Sequence, residues 1–197
     1  MKGLTNNEIE ILLVLFKDFF TDYNANNITK KIMITPAGAY KAMKNLERKN
    51  LITGKRAGKA IFYKLNLEDY YAFRTMETLL INESREKASR WLSEFKDLFK
   101  HVEIAIIFGS VLEYKKKAND IDLLVIFKKE ENSIINKIIQ ERRFVSTKPI
   151  HLIKQTPKDL NRNLKMKDKV VLNAIKFGYT LCGYDKLLGA IKNVTSF

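Results

Sequence analysis

Residues 104–127, IAIIFGSVLEYKKKANDIDLLVIF, constrain the fold of this chain more than any other stretch. Ile104, Ala105, Ile106, Ile107 and Phe108 form an unbroken apolar run, the pattern of a strand covered on both faces. Gly109 ends the run, and glycine tolerates backbone angles that let the chain turn sharply and bring its amides close to a ligand. Ser110 then offers a hydroxyl and an amide at what reads as a helix N-terminus, a seat for phosphate. A second apolar run, from Leu123 to Phe127, is entered through Asp120-Ile121-Asp122. Side chains alternate across a strand, so the two carboxylates share one face while Ile121 points into the core. Two carboxylates at the mouth of an apolar strand are costly unless a cation or water satisfies them. An oxygen-rich pair of this kind suits magnesium held together with substrate phosphates. The bland alternative is a surface turn followed by a strand that begins with acids.

Gly109-Ser110 and Asp120-Ile121-Asp122, with nine residues between Ser110 and Asp120, resemble the signature of the nucleotidyltransferase superfamily that includes DNA polymerase beta, the kanamycin nucleotidyltransferases and the minimal nucleotidyltransferases. The resemblance implies an α/β domain, a small mixed sheet flanked by helices. It implies that Asp120 and Asp122 hold divalent metal, Mg2+, while Gly109 and Ser110 contact the outer phosphates of a nucleoside triphosphate. The implied reaction moves a nucleoside monophosphate onto an acceptor hydroxyl as pyrophosphate leaves. Lys115, Lys116 and Lys117 lie in the intervening loop, either to neutralise phosphate charge or as an ordinary solvated run.

The departures from that pattern are specific. The family's third carboxylate usually stands at the centre of a hydrophobic-acid-hydrophobic triplet in the next strand, and here Lys148-Pro149-Ile150-His151-Leu152-Ile153 places His151 there. Neutral imidazole binds metals, but hard magnesium prefers oxygen. Its ordinary pKa also suits a general base, and a lone histidine amid Ile and Leu is often structural. Asp159, eight residues later, is too far along the chain to replace the acid. Leu112-Glu113-Tyr114 follows the turn where minimal members often have Ala-Arg-Gly, and Asn119 stands where they have Ser. Residues 178–185, after a helix expected over 169–177, resemble the end of a minimal nucleotidyltransferase domain, with Cys182 as a small buried residue.

Charge points to the partner. The chain has 36 Lys and Arg against 22 Asp and Glu, a net charge of +14 over 197 residues, which favours nucleic acid or nucleotides. One cysteine excludes an internal disulfide framework and fits a reducing compartment. No apolar run is long enough to span a bilayer, and no signal-like start is present, so a cytoplasmic protein without a membrane partner is expected.

The first 66 residues carry much of this charge: residues 24–66 hold ten Lys or Arg and one acid, Glu47. Thr5-Asn6-Asn7-Glu8 has capping-box spacing, with Leu4 and Ile9 as a hydrophobic staple. Ile9, Leu12, Leu13, Phe16, Phe19 and Phe20 then recur at helical spacing. A short helix is expected over 28–33. Thr35-Pro36 opens a third helix to about Lys49, with Ala39, Met43 and Leu46 on its inner face. Two strands around Ala57-Gly58-Lys59 complete a hairpin. Three helices followed by a hairpin resemble a winged helix-turn-helix domain. That resemblance, with the charge, implies double-stranded DNA as a partner: the third helix enters the major groove and the hairpin's cations meet phosphates. The candidate contacts are Thr35, Ala37, Tyr40, Lys41, Lys44, Arg48, Lys55, Arg56 and Lys59. Such domains also serve as dimerisation or docking modules.

The expected organisation is therefore a winged helix at 1–66, a helical connector at 67–83 with a break at 81–84, and a nucleotidyltransferase-like domain at 84–197. Ala88, Trp91, Leu92, Phe95, Leu98 and Phe99 form the core stripe of the stretch after the break. Two functions fit. One is a DNA-associated nucleotidyltransferase; the other is a regulator or antitoxin-like protein, homodimeric or paired with a helical toxin-like partner, whose second domain only binds nucleotide or that partner.

Overall fold

The computed structural model describes residues 3–113 and 119–195, and it divides into two compact units, the first ending at Leu79 and the second running Leu80–Val194. Helix α1, Asn6–Lys17, begins at the expected capping box: Thr5 Oγ1 accepts from the Glu8 amide at 3.3 Å, and the Glu8 carboxylate accepts from the Thr5 amide at 2.8 Å. Glu8 is itself buried, because its carboxylate also receives the Asn45 side-chain amide and, at 3.4 Å, the Lys49 ammonium. The buried face of α1 is Ile11, Leu12, Leu15 and Phe16, so Ile9 and Leu13 of the expected stripe are only partly covered.

Beyond α1 the chain makes a 3-10 turn, Ile28–Lys30, in place of the expected helix over 28–33. Past Lys30 the Lys31 and Ile32 amides both return to the Ile28 carbonyl, at 2.8 and 3.2 Å, and the Ile34 amide bonds the Ile32 carbonyl, so no helical ladder continues before the extended Thr35 that precedes Pro36. The side-chain oxygens of Asn24 and Asn27 accept from the amides of Asn24, Asn26 and Asn27 at 2.7–3.0 Å and fix the loop ahead of the turn. Helix α2, Pro36–Arg48, starts at the N-cap Thr35, whose hydroxyl accepts from the Gly38 amide at 3.2 Å. Ala39, Met43 and Leu46 are fully buried, as the periodicity requires. Strands β1, Ile52–Ala57, and β2, Ala60–Leu65, pair antiparallel from Ile52↔Leu65 to Ala57↔Ala60, leaving Gly58 and Lys59 as the turn. Gly58 has φ 59°, which a glycine adopts without strain. The order α1, short turn, α2, hairpin resembles a winged helix, with a turn in the place of the middle helix.

Helix α3, Tyr70–Lys87, is continuous, and the break expected at 81–84 is absent. Nothing there stops a helix: the stretch has no Pro or Gly, and Ser84 is buried with its hydroxyl donating to the Thr180 carbonyl. The interruption falls at Ala88, before α4, Ser89–Glu94, and a 3-10 segment, Lys96–Lys100.

The second unit is built on β3, Ile104–Phe108; β4, Ile121–Ile126; β5, Ile150–Gln155; and β6, Tyr179–Cys182, ordered β5-β4-β3-β6. β4 and β5 are parallel, and β3 is antiparallel to both β4 and β6. α5, Ser110–Glu113, follows β3, and α6, Asn132–Val145, carries the parallel crossover. Then come α7, Pro157–Lys165; α8, Lys169–Phe177; and α9, Tyr184–Thr195. Ala105, Ile107, Leu123, Val125 and Ile150 on one face of the sheet form a core with Trp91, Phe95, Leu98, Ile135 and Ile139. By strand alternation Ile104, Ile106 and Leu124 lie on the other face, where α8 packs on β3 and α7 on β5. Among the described residues no helix is long and apolar enough to cross a membrane.

Candidate active site

Three strand ends converge on one point of the second unit. In the antiparallel β3–β4 ladder Phe108 faces Asp122, and in the parallel β4–β5 ladder Asp122 faces His151. Asp120 stands just before β4, two residues from Asp122, so alternation sends both carboxylates to one side. His151 completes the group: its Nδ1 is 3.2 Å from Asp120 Oδ2 and 3.6 Å from Asp122 Oδ1. Each of the three offers a ligand atom within 4.8 Å of the others.

Gly109 makes this approach sterically feasible. Its φ is 84°, and a Cβ built there would stand 2.2 Å from Asp122 Oδ2. The turn therefore carries glycine both for its backbone and because the Asp122 carboxylate occupies the space a side chain would take. Ser110 begins the four-residue α5 directly beyond it. Lys115, Lys116 and Lys117, expected beside the phosphates, lie outside the described residues.

Among the described residues, His151 is the only ion-pair partner of the two acids. Burial, then the neighbouring Asp120 carboxylate, pushes the Asp122 carboxyl above the ordinary carboxylate range, and His151 only partly offsets this. Two carboxylates and an imidazole so grouped could hold a divalent cation, with the cations' usual oxygen preference met by the aspartates. His151 is the third member of the group, and no fourth His, Cys, Asp or Glu joins it among the described residues. Asp159 is committed elsewhere, capping α7 through Thr156 and pairing with Arg162 at 3.0 Å.

In the first unit, Tyr40, Lys41, Arg48, Lys55, Arg56 and Lys59 are exposed. Lys44 is less available, its ammonium 2.7 Å from Glu47, and Arg48 donates to Asn45 Oδ1 at 2.9 Å. Thr35 is exposed with its hydroxyl engaged in the α2 cap. Pro36 and Tyr40 of α2, Arg56 and Lys59 of the hairpin, and Asn24 and Asn26 of the preceding loop line one groove of about 480 Å³. The two asparagines were not among the residues singled out in the sequence, because turn-forming asparagines look alike whether or not they border a groove.

A mixed four-stranded sheet with paired acids at a glycine turn defines a nucleotidyltransferase-like domain. Residues 92–181 match the family described as polymerase beta, nucleotidyltransferase, and the chain carries a nucleotidyltransferase domain of that family. No curated protein matches the chain. Solved structures of Lactococcus lactis ZitR variants overlap it at 20% identity; two of them cover 73% and 74% of this chain and 75% and 77% of theirs, with TM-scores of 0.33 and 0.34. The winged-helix description rests on the element order of the chain itself.

Proposed function

We propose that the chain is a DNA-associated nucleotidyltransferase that moves a nucleoside monophosphate from a nucleoside triphosphate to an acceptor hydroxyl. The observation that carries this reading is the convergence of Asp120, Asp122 and His151 beside the Gly109 turn. Asp120 and Asp122 would hold a divalent cation, which when bound supplies charge neutralisation for the triphosphate and activation of the acceptor hydroxyl. Gly109 leaves the backbone open to the outer phosphates, and the Ser110 hydroxyl and amide are available to them. The exposed cations of α2 and the hairpin suit the phosphates of duplex DNA, an electrostatic grip independent of the chemistry in the second unit.

One observation favours a second reading. An imidazole fills the place of the third acid, and Asp159 is tied to its own helix cap. A domain so altered fits a regulator or antitoxin-like protein that binds nucleotide without turnover. The two readings separate when the protein is incubated with labelled ATP, GTP, CTP or UTP and Mg2+ or Mn2+, with and without DNA and cell lysate. The transferase reading expects metal-dependent labelling that is lost in Asp120→Asn and in Asp122→Asn. Labelling that persists in both variants overturns it; nucleotide binding with no labelled product establishes the second reading.

A further inference from the structure

We propose that His151 is a direct metal ligand through Nδ1, and that it shifts the centre's preference from Mg2+ toward first-row transition ions. The inference rests on the reading that Asp120 and Asp122 hold a divalent cation, and it names which cation the site takes.

The distances carry the first part. Donors about 2.1 Å from a shared octahedral ion lie about 3.0 Å apart when adjacent and about 4.2 Å apart when opposite. The Nδ1 separation of 3.2 Å from Asp120 is close to the adjacent spacing, and the 3.6 Å to Asp122 lies between the two, within a small adjustment of the adjacent one. The same ring nitrogen lies against both acids. His151 is also not a core residue, since its side chain is 60% exposed. It is held by the β4–β5 register opposite Asp122, so the approach is set by the sheet and not by a flexible loop.

Ligand chemistry carries the second part. Mg2+ is a hard ion that takes oxygen donors and keeps its waters, and exchanging a carboxylate for imidazole removes charge and hardness together. Imidazole nitrogen suits the later divalent ions, whose affinity for a mixed nitrogen–oxygen site rises from Mn2+ to Co2+. Two aspartates with one histidine therefore keep a site for divalent ions while reordering which of them binds best.

The test uses the full chain, freed of any affinity tag and stripped with chelator, titrated with MgCl2, MnCl2 or CoCl2 alone by calorimetry, with the visible Co2+ spectrum recorded in parallel. Co2+ is expected to bind more tightly than Mn2+, and Mn2+ more tightly than Mg2+. Removing an outer-shell partner already costs about 10–100-fold in metal affinity, so His151→Ala should weaken Co2+ by at least that much and alter its spectrum, with Mg2+ little changed. His151→Asp should narrow the gap by strengthening Mg2+. His101, the chain's other histidine, lies against Glu131 at 2.8 Å, and His101→Ala should leave Co2+ binding intact. If His151→Ala leaves Co2+ affinity and spectrum unchanged while Asp120→Asn abolishes binding, the histidine assignment falls and the acid-pair reading stands. If neither Asp120→Asn nor Asp122→Asn affects any ion, or the wild type binds none, the underlying reading falls with it.

Discussion

Replacing Gly109 with alanine isolates the steric reasoning behind the site. At φ 84° an alanine is strained by about 1–2 kcal/mol. Its Cβ would also stand 2.2 Å from Asp122 Oδ2, against an ordinary carbon–oxygen contact of about 3.3 Å, so the carboxylate must retreat by about 1 Å. Gly58→Ala supplies the comparison: it has φ 59° but nothing within 4 Å of the built Cβ, so it registers backbone strain alone. In a chain of this length 1 kcal/mol corresponds to about 2–4 °C in Tm. Gly58→Ala is expected to lower Tm by a few degrees with metal binding untouched. Gly109→Ala is expected to lower it further, and to cost about 100-fold in transfer rate, the usual penalty for misplacing a catalytic group by about 1 Å. Thermal melting, metal titration and the labelling assay read the three effects. A Gly109→Ala protein that melts no lower than Gly58→Ala and binds Co2+ or Mg2+ like the wild type would refute the argument.

Two further expectations concern the first unit. Burial raises the Glu8 carboxyl, but the bonds from Thr5 and Asn45 and the Lys49 charge outweigh it and hold the group below its ordinary range. Its stabilisation is thus present above the ordinary carboxylate pKa and is lost as pH falls through the depressed folded value. Glu8→Gln should cost about 1.5–3 kcal/mol near neutrality, with the gap to wild type closing below about pH 4; a gap that widens on acidification contradicts the assignment. For DNA, each phosphate contact contributes about 0.9 to the slope of log affinity against log salt, so Arg56→Ala with Lys59→Ala should flatten that slope by about 2. An unchanged slope would remove the hairpin from the interface.

The acid pair was legible because strand alternation is a property of the backbone: two aspartates spaced by one residue ahead of an apolar run share a face in any strand. His151 was legible as a position, but its contact with the acids depends on the parallel register of β4 and β5, and register is not written in either strand alone. Thr5 and Glu8 announced a helix start, yet the second role of Glu8, receiving Asn45 and Lys49 from 37 and 41 residues away, is a tertiary fact. A break was expected at 81–84, yet the helix runs on through it, with Ser84 buried and bonded to the distant Thr180 carbonyl. In α1 the expected stripe straddled the true one because nearly every position from Ile9 to Phe16 is apolar, leaving periodicity little contrast to read.

The most direct measurement is anomalous scattering from crystals grown with Mn2+ and a non-hydrolysable nucleoside triphosphate. A peak is expected within about 2.3 Å of oxygens from both Asp120 and Asp122, with the triphosphate beside the Gly109 turn. Manganese and triphosphate bound away from that acid pair would contradict the acid-pair reading.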